Sequence, residues 1–257
     1  MELGIFARTF PRPTLEATFD AVRATGLRTM QYKRLHDVPA AQVHAAASAR
    51  GLTMAAVSGT YNMAHPDPGV RAAGARELAG LVAEAPALGT RVVTLCTGTR
   101  DPDDLWRAHP DNGSAAAWRD MRASVDAALE VAEAHGVTLA VEPEPANVVA
   151  DAAAARRLLD EVATPHLRIV LDAANLVQAA PGRQHAILDE AFGLLGGDLV
   201  LAHAKDVTAG GAIVAAGRGV LDHERYLDRL EAAGAPPLVL HGLAEDEVAA
   251  SIAVLRR

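Results

Sequence analysis

Four side chains able to ligate a metal ion stand at regular intervals in the second half of the sequence: Glu142 in LAVEPEP, Asp172 in RIVLDAAN, His203 in LVLAHAKD and His241 in PLVLHGL. Each closes a short aliphatic run of the kind that forms buried strands. The intervals are 30, 31 and 38 residues, each about the length of one strand–helix unit. If the runs are the fifth to eighth strands of a parallel barrel, the four groups converge at its mouth. A lone acid at a strand end can cap the following helix, and a lone histidine is commonly a neutral, hydrogen-bonded side chain. Four such groups on successive strands favour a metal instead. Two carboxylates and two imidazoles suit Mn²⁺, Co²⁺, Zn²⁺ or Fe²⁺ better than Mg²⁺ or Ca²⁺, which prefer oxygen shells. The one cysteine, Cys96, excludes an intramolecular disulfide and a multi-thiolate cluster.

Other polar residues fall near the same strand ends. Glu144, two residues beyond Glu142, shares its face in an extended strand, although Pro143 and Pro145 take this segment out of regular geometry and favour a supporting place for it. Lys205, two beyond His203, either faces a developing oxyanion or substrate carboxylate, or pairs with Glu144 or a neighbouring acid. His241 reads as a ligand or as an acid/base group titrating near neutrality. Arg8 and Lys33, at the ends of the first two strands, are placed to meet an anionic group, though no phosphate-cradling loop is evident. Asp206 reads as a loop anchor. Three segments after strands are long, at 59–68, 97–113 and 207–221, and contain Tyr61, Asn62, His65, Trp106, His109, Asp111 and Asn112; they read as substrate walls or lids. His65 and His109 each open an HPD triplet, which either contacts substrate or forms a turn. Trp106 reads as a stacking platform for a sugar face or as a loop anchor. His36, His44, His135, His166, His185 and His223 are assigned to helices or to the opposite face.

Positioning these groups requires an alternation of strand and helix along the whole chain, and the sequence supplies it. Strands are expected near 3–8, 29–33, 53–58, 91–96, 138–142, 167–172, 199–204 and 238–241, and helices near 13–25, 39–50, 69–88, 114–135, 151–163, 183–195, 222–233 and 245–256. Gly26, Gly51, Gly89, Gly136 and Gly234 mark helix ends before the next strand. No G-x-G-x-x-G turn follows the first strand, so eight units favour a single (β/α)8 barrel over residues 1–257 rather than a doubly wound sheet. The 257 residues are 50% hydrophobic, enough for a large core. No apolar run reaches membrane-spanning length and the start lacks a secretory leader pattern, so a cytoplasmic protein without a membrane partner is expected. A net charge of −8 and a pI near 5.7 argue against a nucleic-acid partner. The oligomeric state is left open, a homo-oligomer included.

The runs VEPEPANVV, LDAANL, LAHAKD, GRGVLD and LVLHGL, with SGTYNMAHPD at 58–67 and CTGTRDPDDLWRAHPDN at 96–112, resemble the xylose-isomerase-like TIM-barrel superfamily, in particular a subgroup of sugar phosphate isomerases and epimerases. The similarity covers nearly the whole chain. It implies a divalent metal, a carbohydrate substrate and proton transfer next to a carbonyl, with Glu142, Asp172 and His203 as ligands and Glu142 as the first candidate base. Two positions depart from the pattern. His241 stands where the epimerases carry a second glutamate that shares the proton transfer, and Asn175 stands where a histidine often polarises substrate oxygens.

The leading expectation is a metal-dependent isomerase or epimerase acting on a small sugar, sugar phosphate or polyhydroxy keto acid through an enediolate. A lyase or dehydratase is the first alternative, because the same intermediate can expel a β-hydroxyl when His109 or His241 protonates it. A non-catalytic sugar-binding barrel is the second. Abasic-site endonucleases of the superfamily use a larger zinc-binding set and are disfavoured by the acidic balance.

Overall fold

Eight short strands close into a parallel barrel in the computed structural model, which describes residues 1–256. In chain order the strands are β1 (Leu3–Phe6), β2 (Thr29–Tyr32), β3 (Thr53–Ser58), β4 (Val92–Leu95), β5 (Thr138–Val141), β6 (Leu167–Asp172), β7 (Leu199–Ala204), β8 (Asp206–Val207), β9 (Ile213–Val214) and β10 (Leu238–Leu240). β8 and β9 form a separate antiparallel hairpin within the segment after β7. The other eight run in the order β1 to β7 followed by β10, which closes the barrel on β1. The helices are α1 (Leu15–Ala24), α2 (Ala40–Ser48), α3 (Pro68–Leu88), α4 (Ala115–His135), α5 (Ala152–Val162), α6 (Ala173–Val177), α7 (Gln184–Leu195), α8 (His223–Ala232) and α9 (Val248–Leu255).

Each of the eight barrel strands is only three to six residues long. Glu142 continues the ladder by donating its N–H to Leu95 O at 2.8 Å, and Pro143, with no N–H, ends it. The chain after β1 turns into a short 3-10 segment, Ala7–Thr9, rather than continuing as strand. Helix starts carry the capping chemistry of their sequences: Ser114 accepts from Ala117, Asp151 from Ala154 and Asp222 from Arg225.

Two apolar layers hold the barrel together. Phe6, Ala56, Ala140, Val170, Leu201 and Val239 fill its interior, and a larger layer including Phe19, Val82, Met121, Leu158 and Leu188 seals the helices to the outside of the strands. The interior is packed below the mouth, so polar side chains gather only at the strand C-termini. Two short elements escape the sequence periodicity, the five-residue α6 and the β8–β9 hairpin, since neither is long enough to display a repeat. His36 lies in the segment between β2 and α2, on the mouth side rather than in a helix or on the opposite face, and its Nε2 contacts Arg12 O at 3.1 Å. Among the described residues no helix is long and apolar enough to cross a membrane.

Candidate metal centre

Register brings the centre together before any side chain is considered. Asp172 at the end of β6 pairs with His203 on β7, and His203 pairs with Val239 on β10. One residue past β10, His241 donates its N–H to Ala204 O at 3.2 Å, so the acid and both imidazoles sit at one level of the mouth. Gly242 follows with φ +68, a left-handed conformation that side chains other than glycine rarely adopt; space is not the constraint, since a Cβ there would make ordinary contact with the Lys205 methylenes at 3.4 Å.

Each ligating group is held by its far side. Asp172 caps α6, its Oδ1 accepting from the N–H groups of Ala174 and Asn175 at 3.0 and 3.3 Å. That leaves Oδ2 turned inward with the Lys205 ammonium 2.9 Å away. Gln31 fixes His203: its Oε1 lies 2.8 Å from His203 Nε2, while its Nε2 donates to Thr94 Oγ1 at 3.0 Å. An amide oxygen only accepts, so the proton of a neutral His203 resides on Nε2 and Nδ1 presents its lone pair to the cluster. Tyr226 on α8 ties the two strands behind the site, donating toward Leu171 O at 2.9 Å and His203 O at 3.1 Å. His241 stacks on His203 with ring centroids 4.9 Å apart and on Phe6 at 5.1 Å.

The inward atoms are incompletely matched. His241 Nδ1 is buried with no partner, while Asp172 Oδ2 and His203 Nδ1 make no hydrogen bond of good geometry and face the Lys205 ammonium at 2.9 Å and Glu142 Oε1 at 3.2 Å; one ligating atom from each of Asp172, His203 and His241 lies within 4.8 Å of the other two. Buried lone pairs left unpaired are costly, and two imidazole nitrogens with one carboxylate oxygen match the donor set of a first-row divalent cation. The residues present therefore fit such an ion. Glu142 borders the group rather than belonging to its tightest part, with Oε1 3.2 Å from His203 Nδ1 and Oε2 4.0 Å from the Cys96 thiol.

Around this cluster the polar groups are coupled. Asn175 donates through Nδ2 to Glu142 Oε1 at 2.9 Å and to Glu144 Oε2 at 3.0 Å, and accepts from Lys205 Nζ at 3.1 Å. Burial by itself would push the Glu142 carboxyl up, but His203 and Lys205 outweigh it and hold the group well below the usual carboxylate range. Glu144 has less compensation: burial first and the Glu142 charge second push it up to about 7. Burial opposes the Lys205 charge, yet Asp172 and Glu142 raise its pKa and keep it cationic. Burial, followed by the neighbouring His203 and Lys205, drives the His241 pKa well below its ordinary value and leaves the ring neutral.

Glu142, His203 and His241 open into a cavity of about 260 Å³ that is also lined by Phe6, Arg8, Gln31, Lys33, Ser58, Thr60, Thr94, Cys96, Leu105 and Trp106. Trp106 is 54% exposed and forms part of its wall. His65 and His109 are not in this lining. In each HPD triplet the ring Nδ1 accepts the N–H of the aspartate two residues on, at 3.0 Å for Asp67 and 3.1 Å for Asp111, and His65 Nε2 also contacts Pro102 O. Both histidines thus close their own turns. Asp206 anchors the segment after β7, as expected. Gln31, Thr94, Ser58, Thr60 and Phe6 enter the site without having been singled out by spacing; the available signal was a polar or aromatic residue at a strand end.

The family model described as xylose isomerase-like TIM barrel matches residues 16–257. No curated protein matches the sequence. Among solved structures, L-ribulose 3-epimerase superposes with a TM-score of 0.75 at 20% identity, covering 100% of this chain and 88% of that one. The probable 3-DHS dehydratase AsbF from Bacillus anthracis gives 0.79 at 14% identity, covering 99% and 98%. The IolI protein with a bound zinc atom gives 0.76 at 15% identity, covering 99% and 95%.

Proposed function

Since the chain belongs to the xylose isomerase-like TIM-barrel family, we propose that it is a divalent-metal-dependent isomerase or epimerase that moves a proton at the carbon next to a carbonyl of a small carbohydrate. The observation that carries this reading is the buried convergence of Asp172, His203 and His241, with ligating atoms within 4.8 Å of one another and with His203 and His241 lining a pocket of monosaccharide scale. These three residues, with Glu142 beside them, would hold the ion. A bound divalent cation supplies Lewis-acid polarisation of the substrate oxygens.

The remaining work falls to the side chains. Glu142 is ionised at neutral pH and is the base that takes the proton, with Oε2 on the side of the pocket wall formed by Cys96. Asn175 links it to Glu144, whose carboxyl is pushed up to about 7 by burial and the Glu142 charge; Glu144 does not line the cavity, so it supports Glu142 through Asn175 and does not meet the substrate. Lys205 keeps a fixed positive charge beside Asp172 and Asn175, favouring negative charge developing on a nearby oxygen. Trp106 and Phe6 offer apolar surface to the carbon skeleton and help exclude water.

The test is exchange of the substrate α-proton with solvent deuterium, read by NMR across a panel of ketoses and aldoses with the metal-loaded protein. Exchange that stops on chelation and returns with Mn²⁺, Co²⁺, Zn²⁺ or Fe²⁺ is expected. Absence of exchange across the panel, with bound metal verified, overturns the reading. A dehydratase is the second reading, supported by the fold similarity to AsbF; it predicts a product lighter by one water, whereas isomerisation conserves mass. Turnover of any kind that Glu142→Gln abolishes would dispose of a purely sugar-binding role.

A further inference from the structure

Resting on that reading, and narrowing it, we infer that Arg8 and Lys33 form an anion-binding pair at the outer end of the pocket. The substrate is then a polyhydroxy carbonyl compound with a phosphate monoester or carboxylate at the end remote from its reacting carbon. Phe6 on β1 and Gln31 on β2 are register partners, and both line the cavity. Arg8 and Lys33 each follow two residues later on their own segments and line the same cavity. The Arg8 guanidinium lies over the Phe6 ring at 5.8 Å, and the other neighbour of that ring is His241 at 5.1 Å. One aromatic ring therefore separates the outer cation from the metal-ligating group, and the cation–π contact holds the guanidinium over the pocket wall.

Charge gives this pair its meaning. The chain has 32 acidic against 24 basic residues, and many of its arginines are engaged, as in Arg12 with Glu245, Arg50 with Asp20 and Arg225 with Asp189. Arg8 and Lys33 make no ion pair and no side-chain hydrogen bond among the described residues. The sequence contains 22 arginines and only two lysines, Lys33 and Lys205; both lie at the barrel mouth, one at each end of the site. A compositional bias that uses arginine for surface charge does not account for that placement. The reacting carbonyl belongs at the inner end, beside the metal-holding residues and Lys205, so an anionic group at the far end of the same molecule falls at Arg8 and Lys33. In a protein of net charge −8, two local cations at the entrance also oppose the repulsion that an anionic substrate meets.

The test measures calorimetric binding to the metal-loaded protein of matched probes: D-ribulose and D-ribulose 5-phosphate, D-fructose and D-fructose 6-phosphate, and D-glucose and D-glucuronate, with inorganic phosphate as the isolated anion. One anionic class is expected to bind at least about tenfold tighter than its neutral partner, the size of one charge-assisted contact. Which class gains tells phosphate from carboxylate. Arg8→Ala and Lys33→Ala are each expected to cut that preference about tenfold, Lys33→Arg to retain most of it, and 0.5 M salt, roughly a 4 Å screening length, to erode it. Both residues are exposed, and an unchanged melting temperature checks that the variants fold. Equal wild-type affinity for neutral and anionic partners, or a preference that survives the double alanine variant, overturns the inference. Proton exchange on neutral sugars with no gain from the anion sinks this inference alone. Charge preference without exchange on any probe sinks the isomerase reading and leaves the anion pair standing.

Discussion

Two buried clusters of aspartate with histidine occupy the same end of the barrel, and they are built to opposite purposes. Asp206 uses both oxygens fully: Oδ1 accepts from Val207 and Leu221, and Oδ2 from Gly217 and Gly219, with His223 Nε2 at 3.1 Å. The close approach leaves Gly219 no room for a side chain, since a Cβ would stand 2.4 Å from Asp206 Oδ1. Asp172 spends one oxygen on the cap of α6 and turns the other toward the Lys205 ammonium and two imidazole nitrogens that make no hydrogen bond. The first carboxylate satisfies a loop; the second is held in place by its helix cap so that its other oxygen faces Lys205 and the two imidazoles. The number of backbone N–H donors, four on Asp206 against two on Asp172, separates the two carboxylates, not residue type or burial.

Substitutions can break or sharpen this contrast. Glu142→Gln has the largest expected effect, a loss of about 10²- to 10⁴-fold in proton exchange, the range spanned by removal of a general base, measured by NMR at saturating metal. A smaller loss would move the base to His241. Gln31→Leu removes the acceptor that orients His203 and should weaken metal affinity about 10- to 100-fold, with Gln31→Glu restoring much of it; titration with a chromophoric chelator reads both.

On the anchor side, Asp206→Asn should cost stability rather than metal. Burial raises the Asp206 pKa, but the His223 contact and the backbone N–H donors prevail and bring it to about 2. The folded value lies below the unfolded one, so the folded state binds fewer protons. The stabilisation is therefore complete above roughly pH 4 and is lost as pH falls through about 2. Denaturant titration should find Asp206→Asn weaker by roughly 2 kcal/mol at pH 7, with the gap closing toward pH 2. A gap that persists at pH 2 would mean that packing, not charge, holds this loop. The smallest effect is expected of Tyr226→Phe, about 1 kcal/mol of stability from a buried hydroxyl that bridges β6 and β7, with metal affinity changed by less.

The two regions were unequally legible in the sequence. Glu142, Asp172, His203 and His241 stand out because a barrel repeats its strand ends at unit spacing, so a sequence interval becomes a shared location. The same regularity makes eight units countable. Gln31 carries no such mark: it is one polar residue in TMQY, and its partner is 172 positions away. The two HPD triplets look alike in sequence and prove alike in structure, each folding its histidine back on the following aspartate N–H. That turn geometry is local, and spacing does not encode it. The saturation of Asp206 was equally hidden, because most of its donors are backbone N–H groups that every residue except proline possesses.

The most direct test of the contrast is calorimetric titration of Mn²⁺, Co²⁺ and Zn²⁺ into the chelator-stripped protein, comparing wild type with Asp172→Asn and Asp206→Asn. One ion per chain is expected to bind the wild type and Asp206→Asn, and binding is expected to be lost or weakened at least 100-fold in Asp172→Asn, beyond the range seen when only a supporting hydrogen bond is removed. Undiminished binding in Asp172→Asn, or no binding of any of these ions to the wild type, would contradict the assignment of the Asp172, His203 and His241 cluster as a metal centre.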